Sequence, residues 1–375
     1  MWTFENPVTV DYGIGVFDKV KEVLGGRSYA LVTYPDAPFQ DLSRQLIQGA
    51  GVPLLIVNDV LANPDVDLLE KQCRRFRPLG KTVEAIVALG GGSVIDSAKV
   101  FSVAGGDFGR VASCLVDGKG HKAFAKTPII AVPTTAGTGS EVTCWATIWN
   151  KARGKKYSLE LPSLFPERAL VDPMLTVENP MCLTVSTALD SLSHALESIW
   201  NKNSNPVSLR LSVASAKLIL ENLPRLLGDL QNIKLRKIQA EASLLAGLAF
   251  SNTKTALAHN LSYPITLKWG VPHGVACSFS LPIILRSVQG IGGDREQALA
   301  DIFGADFEKG ALWLMRFLNR IGIGCTFSAQ GVPKRSVGPI VDAAFSGPRG
   351  QNFVGTKAAF ISSLQIQNDL GPTFG

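Results

Sequence analysis

Histidine is the scarcest chemically useful residue in this 375-residue chain, with only four, at positions 121, 194, 259 and 273. The six cysteines, at 73, 114, 144, 182, 277 and 325, include no close pair of the kind that zinc knuckles or redox dithiols need, so they read as reduced thiols. No apolar run approaches the ~20 residues that would cross a bilayer. Residues 1–15 mix Glu5, Pro7 and Asp11 into what a signal segment would keep apolar. No membrane partner and a cytoplasmic location are therefore expected. Charge is sparse as well: 18% of residues against 46% hydrophobic, a balance that excludes a disordered or fibrous chain. The net charge of +6 arises from 37 basic and 31 acidic residues with no dense basic run, so no nucleic-acid partner is expected. Internal repeats and low-complexity tracts are also lacking.

What is present is enough chain for about two domains. In the first half, short apolar runs at residues 29–33, 52–57, 83–89 and 128–133 alternate with amphipathic stretches. That alternation predicts βαβ units and a parallel sheet, whose ligands sit at the carboxyl ends of the strands. Beyond about Asp172-Pro173 strand-like runs nearly vanish, and helix-compatible segments take over at 184–201, 208–222, 235–251 and 310–321. Prolines at 162, 166, 173 and 180 punctuate the join. The expected fold class is α/β plus all-α: a parallel-sheet domain over residues 1–175, then a helical domain over 176–375, with the site in the cleft between them.

Two polar turns follow predicted strands. The run at 83–89 enters Gly90-Gly91-Gly92-Ser93 before a helix near Val94. Glycines let backbone approach a pyrophosphate, and the helix N-terminus attracts it; a plain tight turn would look the same, and this is not G-x-G-x-x-G. After the run at 128–132, residues 133–143 carry Thr134, Thr135, Thr138, Thr143 and Ser140, a supply of donors for phosphate or ribose. Ser140 could equally serve as a helix N-cap.

Asp190 and His194 stand four apart in a segment with Val185, Leu189, Leu192, Leu196 and Ile199 on its apolar side. On a helix that spacing sets the two side chains on one face, about 5–6 Å apart at Cβ, so they can share an ion or simply bond to each other. His259, in a helical run at 244–261, and His273, in a Gly-Val-Pro-His-Gly turn, supply two further imidazoles. One carboxylate and three imidazoles suit Fe2+ or Zn2+ with a position left for a substrate oxygen. His121, in a Lys-rich loop, reads as solvent-facing and idle.

From about Asp11 to the last quarter, the chain resembles the iron-containing (group III) alcohol dehydrogenase family. The resemblance rests on Gly90-Gly91-Gly92-Ser93 with Asp96 and Lys99, the 133–143 loop, Asp190-x-x-x-His194, and His259 followed by His273. It implies a dehydroquinate synthase-like fold and reversible hydride transfer between NAD or NADP and a carbonyl carbon, with a divalent metal ion polarising the oxygen. It further implies a small aldehyde or alcohol as partner and a homo-oligomer, commonly a dimer. On the matching positions, Gly91, Gly92 and Ser93 would hold the pyrophosphate, while Thr134, Thr135 and Thr138 line the cofactor cleft. Lys156 would contact the cofactor, and Phe250 and Trp145 fall at the substrate pocket.

Three departures bear on specificity. Tyr34 follows Thr33 where many members carry an aspartate for the adenosine ribose, which leaves NAD against NADP open. Tyr263-Pro264 replaces a histidine of a proton path, so Tyr263, a ligand hydroxyl or water must relay. Lys254, five residues before His259, lies in a stretch commonly glycine-rich; it suggests an anionic substrate group, or is a snorkelling surface residue. With residues 145–149 and 155–159, it most resembles the phosphonoacetaldehyde reductase branch. A maleylacetate-reductase-like enzyme on another carbonyl, and a non-catalytic nucleotide-binding protein, are the alternatives.

Overall fold

The computed structural model describes residues 1–117 and 126–369. His121 therefore lies outside the described residues. The chain forms two compact units, one of residues 6–178 and one of residues 1–5 with 179–375.

In the first unit six strands make a wholly parallel sheet: β1 Thr9–Tyr12, β2 Tyr29–Val32, β3 Leu55–Val57, β4 Ala85–Gly90, β5 Ile129–Pro133 and β8 Arg168–Val171, ordered β1-β8-β5-β4-β2-β3. Central β2, β4 and β5 are buried along their whole length, as expected of strands covered on both faces. The connections run outward from β2 to β3 and from β4 to β5, so the strand order reverses between β2 and β4, where open α/β sheets place their ligands. A separate antiparallel pair, β6 Trp145–Asn150 and β7 Lys155–Glu160, lies outside this sheet.

Strands β2 to β5 fall where the apolar runs predict. The third begins at Leu55 rather than 52: Pro53 has no N–H for a ladder, and Val52 stands in solvent. Strands β1, β6, β7 and β8 have no counterpart among the expected runs.

The second unit is helical, its longer helices being Met181–Ile199, Pro206–Gly228, Ile233–Thr253, Leu257–Trp269 and Phe307–Arg320. Asn205 and Asn232 cap the second and third of these by accepting from the first free N–H groups, which is why those helices start before the apolar periodicity does. The continuous helical run expected over 244–261 is broken. Lys254 adopts φ 64°, in the left-handed region, and ends one helix; a new one opens at Leu257. Helix Met181–Ile199 is buried on every side from Ala188 onward, packed against helices Pro206–Gly228, Ile233–Thr253, Leu257–Trp269 and the short His273–Ser278. Such a helix carries polar side chains only if each is matched. Among the described residues, no helix is long and apolar enough to cross a membrane.

Candidate metal centre and nucleotide site

At the carboxyl end of β4 the chain turns at Gly91 directly into helix Gly92–Ala104. Thr134 N–H donates to Gly90 carbonyl at 3.1 Å and ties the end of β5 to the end of β4. A Cβ on Gly92 would stand 2.7 Å from Thr138 Cγ2, so glycine is what lets the 133–143 loop close over the helix start. A Cβ on Gly91 would meet Thr135 Oγ1 at 3.1 Å and Tyr34 hydroxyl at 3.6 Å. Gly91, Gly92, Thr134, Thr135, Thr138 and Tyr34 are thus gathered at the ends of β2, β4 and β5. Ser93 belongs to the same turn, its hydroxyl accepting from Asn63 N–H at 3.1 Å.

Asp96 and Ser140 hold this loop rather than open space. Ser140 hydroxyl donates to Asp96 Oδ1 at 2.5 Å, and Thr147 N–H donates to Oδ2 at 2.8 Å. Ser140 is not a helix N-cap; it opens a short 3-10 turn, Ser140–Val142, whose cap is Gly139. Lys99, fully buried, donates from Nζ to Ser140 carbonyl and hydroxyl, Thr143 hydroxyl and Trp145 carbonyl at 2.7–3.2 Å. Burial lowers its pKa to about 8. Burial likewise raises the neighbouring Glu141 carboxyl to about 7. Trp145 heads β6, and Lys156, on β7, stands over the Trp149 ring at 5.2 Å.

In the helical unit, three imidazoles converge on one oxygen. Asp190 Oδ1 lies 3.4 Å from His259 Nε2, 3.8 Å from His194 Nε2 and 3.9 Å from His273 Nε2. Asp190 and His194 share a face of helix Met181–Ile199, His259 comes from Leu257–Trp269, and His273 opens the short helix His273–Ser278. That short helix approaches so closely that a Cβ on Gly274 would overlap Ser186 carbonyl oxygen and stand 3.0 Å from Asp190 nitrogen. Burial by itself would raise the Asp190 carboxyl; the histidines, His194 foremost, hold it well below the usual carboxylate range.

These donors fit a bound cation. Donors held at ~2.1 Å around a tetrahedral ion stand roughly 3.4 Å apart, near the separations here and too long for good N–H···O bonds. Among the described residues, neither Asp190 Oδ1 nor His259 Nε2 has a hydrogen-bond partner, although both residues are buried, an arrangement costly unless something else satisfies them.

Family patterns match both units: the iron-containing alcohol dehydrogenase pattern over residues 7–173, and the Fe-containing alcohol dehydrogenase family C-terminal pattern over 184–363. The chain belongs to the iron-containing alcohol dehydrogenase family. Relatives within it include the NAD-dependent methanol dehydrogenase of Bacillus methanolicus, 31% identical over 87% of this chain and 89% of that one. Phosphonoacetaldehyde reductase of Streptomyces viridochromogenes is 32% identical over 76% and 75%. Among solved structures, sulfoacetaldehyde reductase of Bifidobacterium kashiwanohense in complex with NAD+ superposes with a TM-score of 0.89 at 30% identity, covering 98% of each chain.

Two residues beside this candidate metal centre escaped the sequence reading. Glu197, fully buried, takes the other ring nitrogen of His259: Nδ1 to Oε2 is 2.5 Å, and His259 backbone N–H donates to Oε1 at 3.1 Å. It sits seven residues after Asp190 on the same helix, a face-sharing interval that could have flagged it. Cys277 is the other, four after His273. Phe250 stacks on His194 at 4.0 Å, and the Tyr263 ring lies parallel to His273 with centroids 6.3 Å apart. Lys254 is exposed; its carbonyl accepts from Asn201. The neighbouring Thr255 hydroxyl accepts from Arg349, whose guanidinium lies 5.5 Å over the Tyr263 ring.

Proposed function

We propose that this protein reduces a short aldehyde bearing a phosphonate or sulfonate group to the alcohol, reversibly, with NAD(H) or NADP(H) and one divalent ion, Fe2+ or Zn2+. The observation that carries it is the convergence of three imidazole nitrogens on Asp190 Oδ1 with no hydrogen bond to complete that oxygen.

Asp190, His194, His259 and His273 hold the ion. Glu197 binds the Nδ1 proton of His259, which leaves the Nε2 lone pair turned toward Asp190. A divalent ion held there supplies Lewis-acid polarisation of the carbonyl, and the nicotinamide supplies the hydride. On the other unit, the backbone N–H groups at Gly91, Gly92 and Ser93 face a pyrophosphate from the positive end of their helix, and Thr134, Thr135 and Thr138 line the approach. Tyr34 takes the place of a ribose-binding carboxylate, and its hydroxyl brings no negative charge against a 2′-phosphate. Tyr263, whose ring lies parallel to His273, would pass the proton that reduction consumes to the substrate oxygen and take one back from water.

The anionic preference is supported by Lys254, Arg349 and the two relatives that reduce phosphonoacetaldehyde and sulfoacetaldehyde. Arg349 bonds to Thr255, the residue after Lys254, on the segment joining the Phe250 helix to the His259 helix. The test is a steady-state assay at the reduced-nicotinamide band, with metal-loaded protein, phosphonoacetaldehyde, sulfoacetaldehyde and neutral aldehydes of the same length. A higher kcat/KM is expected for the charged pair, and Lys254→Ala and Arg349→Ala should raise KM for them by about tenfold each. Equal turnover of neutral aldehydes in the native protein would discard the anion reading; absence of any carbonyl-dependent oxidation of either cofactor would discard the enzyme.

A further inference from the structure

The thiol of Cys277 enters none of those roles, yet it lies at the same point in space. It is fully buried on helix His273–Ser278, one turn beyond His273, with Sγ 3.7 Å from His273 Nε2 and 3.8 Å from Nδ1. One donor atom each from Asp190, His259, His273 and Cys277 falls within 4.8 Å of every other. Two of those donor atoms, Asp190 Oδ1 and His259 Nε2, are buried and have no hydrogen-bond partner among the described residues.

We propose that Cys277 is itself a metal ligand. Resting on the metal reading above, the site then holds two overlapping donor sets that share Asp190, His259 and His273. One is completed by His194 and the other by the Cys277 thiolate. When the ion binds, the Sγ–H bond breaks, its proton leaves to solvent, and a sulfur–metal bond forms; nothing is oxidised or reduced. Two facts favour the thiolate set. A carboxylate and a thiolate together balance a doubly charged cation, which matters where burial makes uncompensated charge costly. Geometry adds that helix His273–Ser278 is pressed against the Asp190 helix through Gly274, so His273 and Cys277 approach the carboxylate as a rigid i, i+4 pair. His194, which is not among the four donors that lie within 4.8 Å of one another, is then the exchangeable member. The consequence is selectivity: soft thiolate shifts the site toward Zn2+ or Co2+ and away from Fe2+ relative to an oxygen and nitrogen set.

X-ray absorption on the Zn2+-loaded full-length protein tests this directly. One sulfur scatterer at about 2.3 Å is expected beside nitrogen and oxygen at 2.0–2.2 Å. Loaded with Co2+, the protein should show an intense thiolate-to-metal band in the near ultraviolet, retained in His194→Ala and lost in Cys277→Ser. Competition between Zn2+ and Fe2+ should shift toward Fe2+ by about tenfold or more in Cys277→Ser. A shell of nitrogen and oxygen alone in the native protein overturns the thiolate while leaving the metal site intact; that spectrum decides even if Cys277→Ser misfolds. Failure of any divalent ion to bind the native protein overturns this inference and the proposed function together.

Discussion

Around Lys99, in the sheet unit, buried charge is answered by the chain itself: Nζ meets four acceptors, and both Asp96 oxygens are occupied. Around Asp190, in the helical unit, three imidazoles face one oxygen across 3.4–3.9 Å and leave it without a hydrogen bond. The first cluster is finished when the chain has folded. The second, among the described residues, lacks that completion and has the donor set that fits a cation. The difference separates a structural use of buried charge, which braces the loop over a nucleotide turn, from a functional one, in which unmet hydrogen-bonding capacity is kept for a ligand.

The largest test of that contrast is Asp190→Ala, which removes the oxygen on which the histidines converge. Loss of bound metal and at least a ~10³-fold fall in kcat/KM are expected, from the several kcal/mol a metal contributes to the developing alkoxide. Elemental analysis and steady-state rates read both, and a variant that keeps its metal would erase the contrast.

Next is Lys99→Met in the self-satisfied cluster. It strands buried acceptors and should cost about 3 kcal/mol of stability or more in denaturant unfolding, with metal content unchanged. A stability loss matched by loss of metal would mean the two clusters are not independent.

Glu141 sharpens the comparison through pH. Its carboxyl, raised by burial from 4.5 to about 7, binds its proton more tightly folded than unfolded. Its contribution is therefore fully present below pH 4.5 and is lost as pH rises through about 7. Glu141→Gln should remove that decline, gaining up to about 3 kcal/mol on the native chain between those limits. An unchanged slope of stability against pH counts against a neutral buried Glu141.

The smallest expected effect is that of Glu197→Gln, which keeps the shape beside His259 but weakens the carboxylate that orients it. Metal affinity should fall by about 10–100-fold, measured by competition with a chelator, with little change in fold.

The runs that become β2, β4 and β5 were legible because strands buried on both faces are apolar throughout, and the edge strand β3, only partly buried, is apolar as well. Strands β1 and β8 sit together at one end of the sheet; Asp11 interrupts the first and Arg168 opens the second, so neither forms an unbroken apolar run. In β6 it is burial that alternates, with Ala146 and Ile148 inside and Trp145 and Thr147 partly exposed, a period that residue type alone does not display. The break at Lys254 could not be foreseen from composition, since its left-handed backbone is stabilised by tertiary bonds such as that from Asn201. Asp96 and Ser140 lie at the nucleotide turn named for them, but their side chains bond to each other, a pairing across 44 positions.

By itself the sequence determined what neighbours along the chain can settle: a strand running into glycines and a helix, an Asp and a His on one helical face, and a family identity spread over both. Those follow from the repeats of strand and helix, which act within a few residues. Only the tertiary structure decided that His259, His273, Cys277 and Glu197 gather around Asp190. Convergence of distant helices depends on packing, here on a Gly274 with no side chain to hold His273 away from the Asp190 helix.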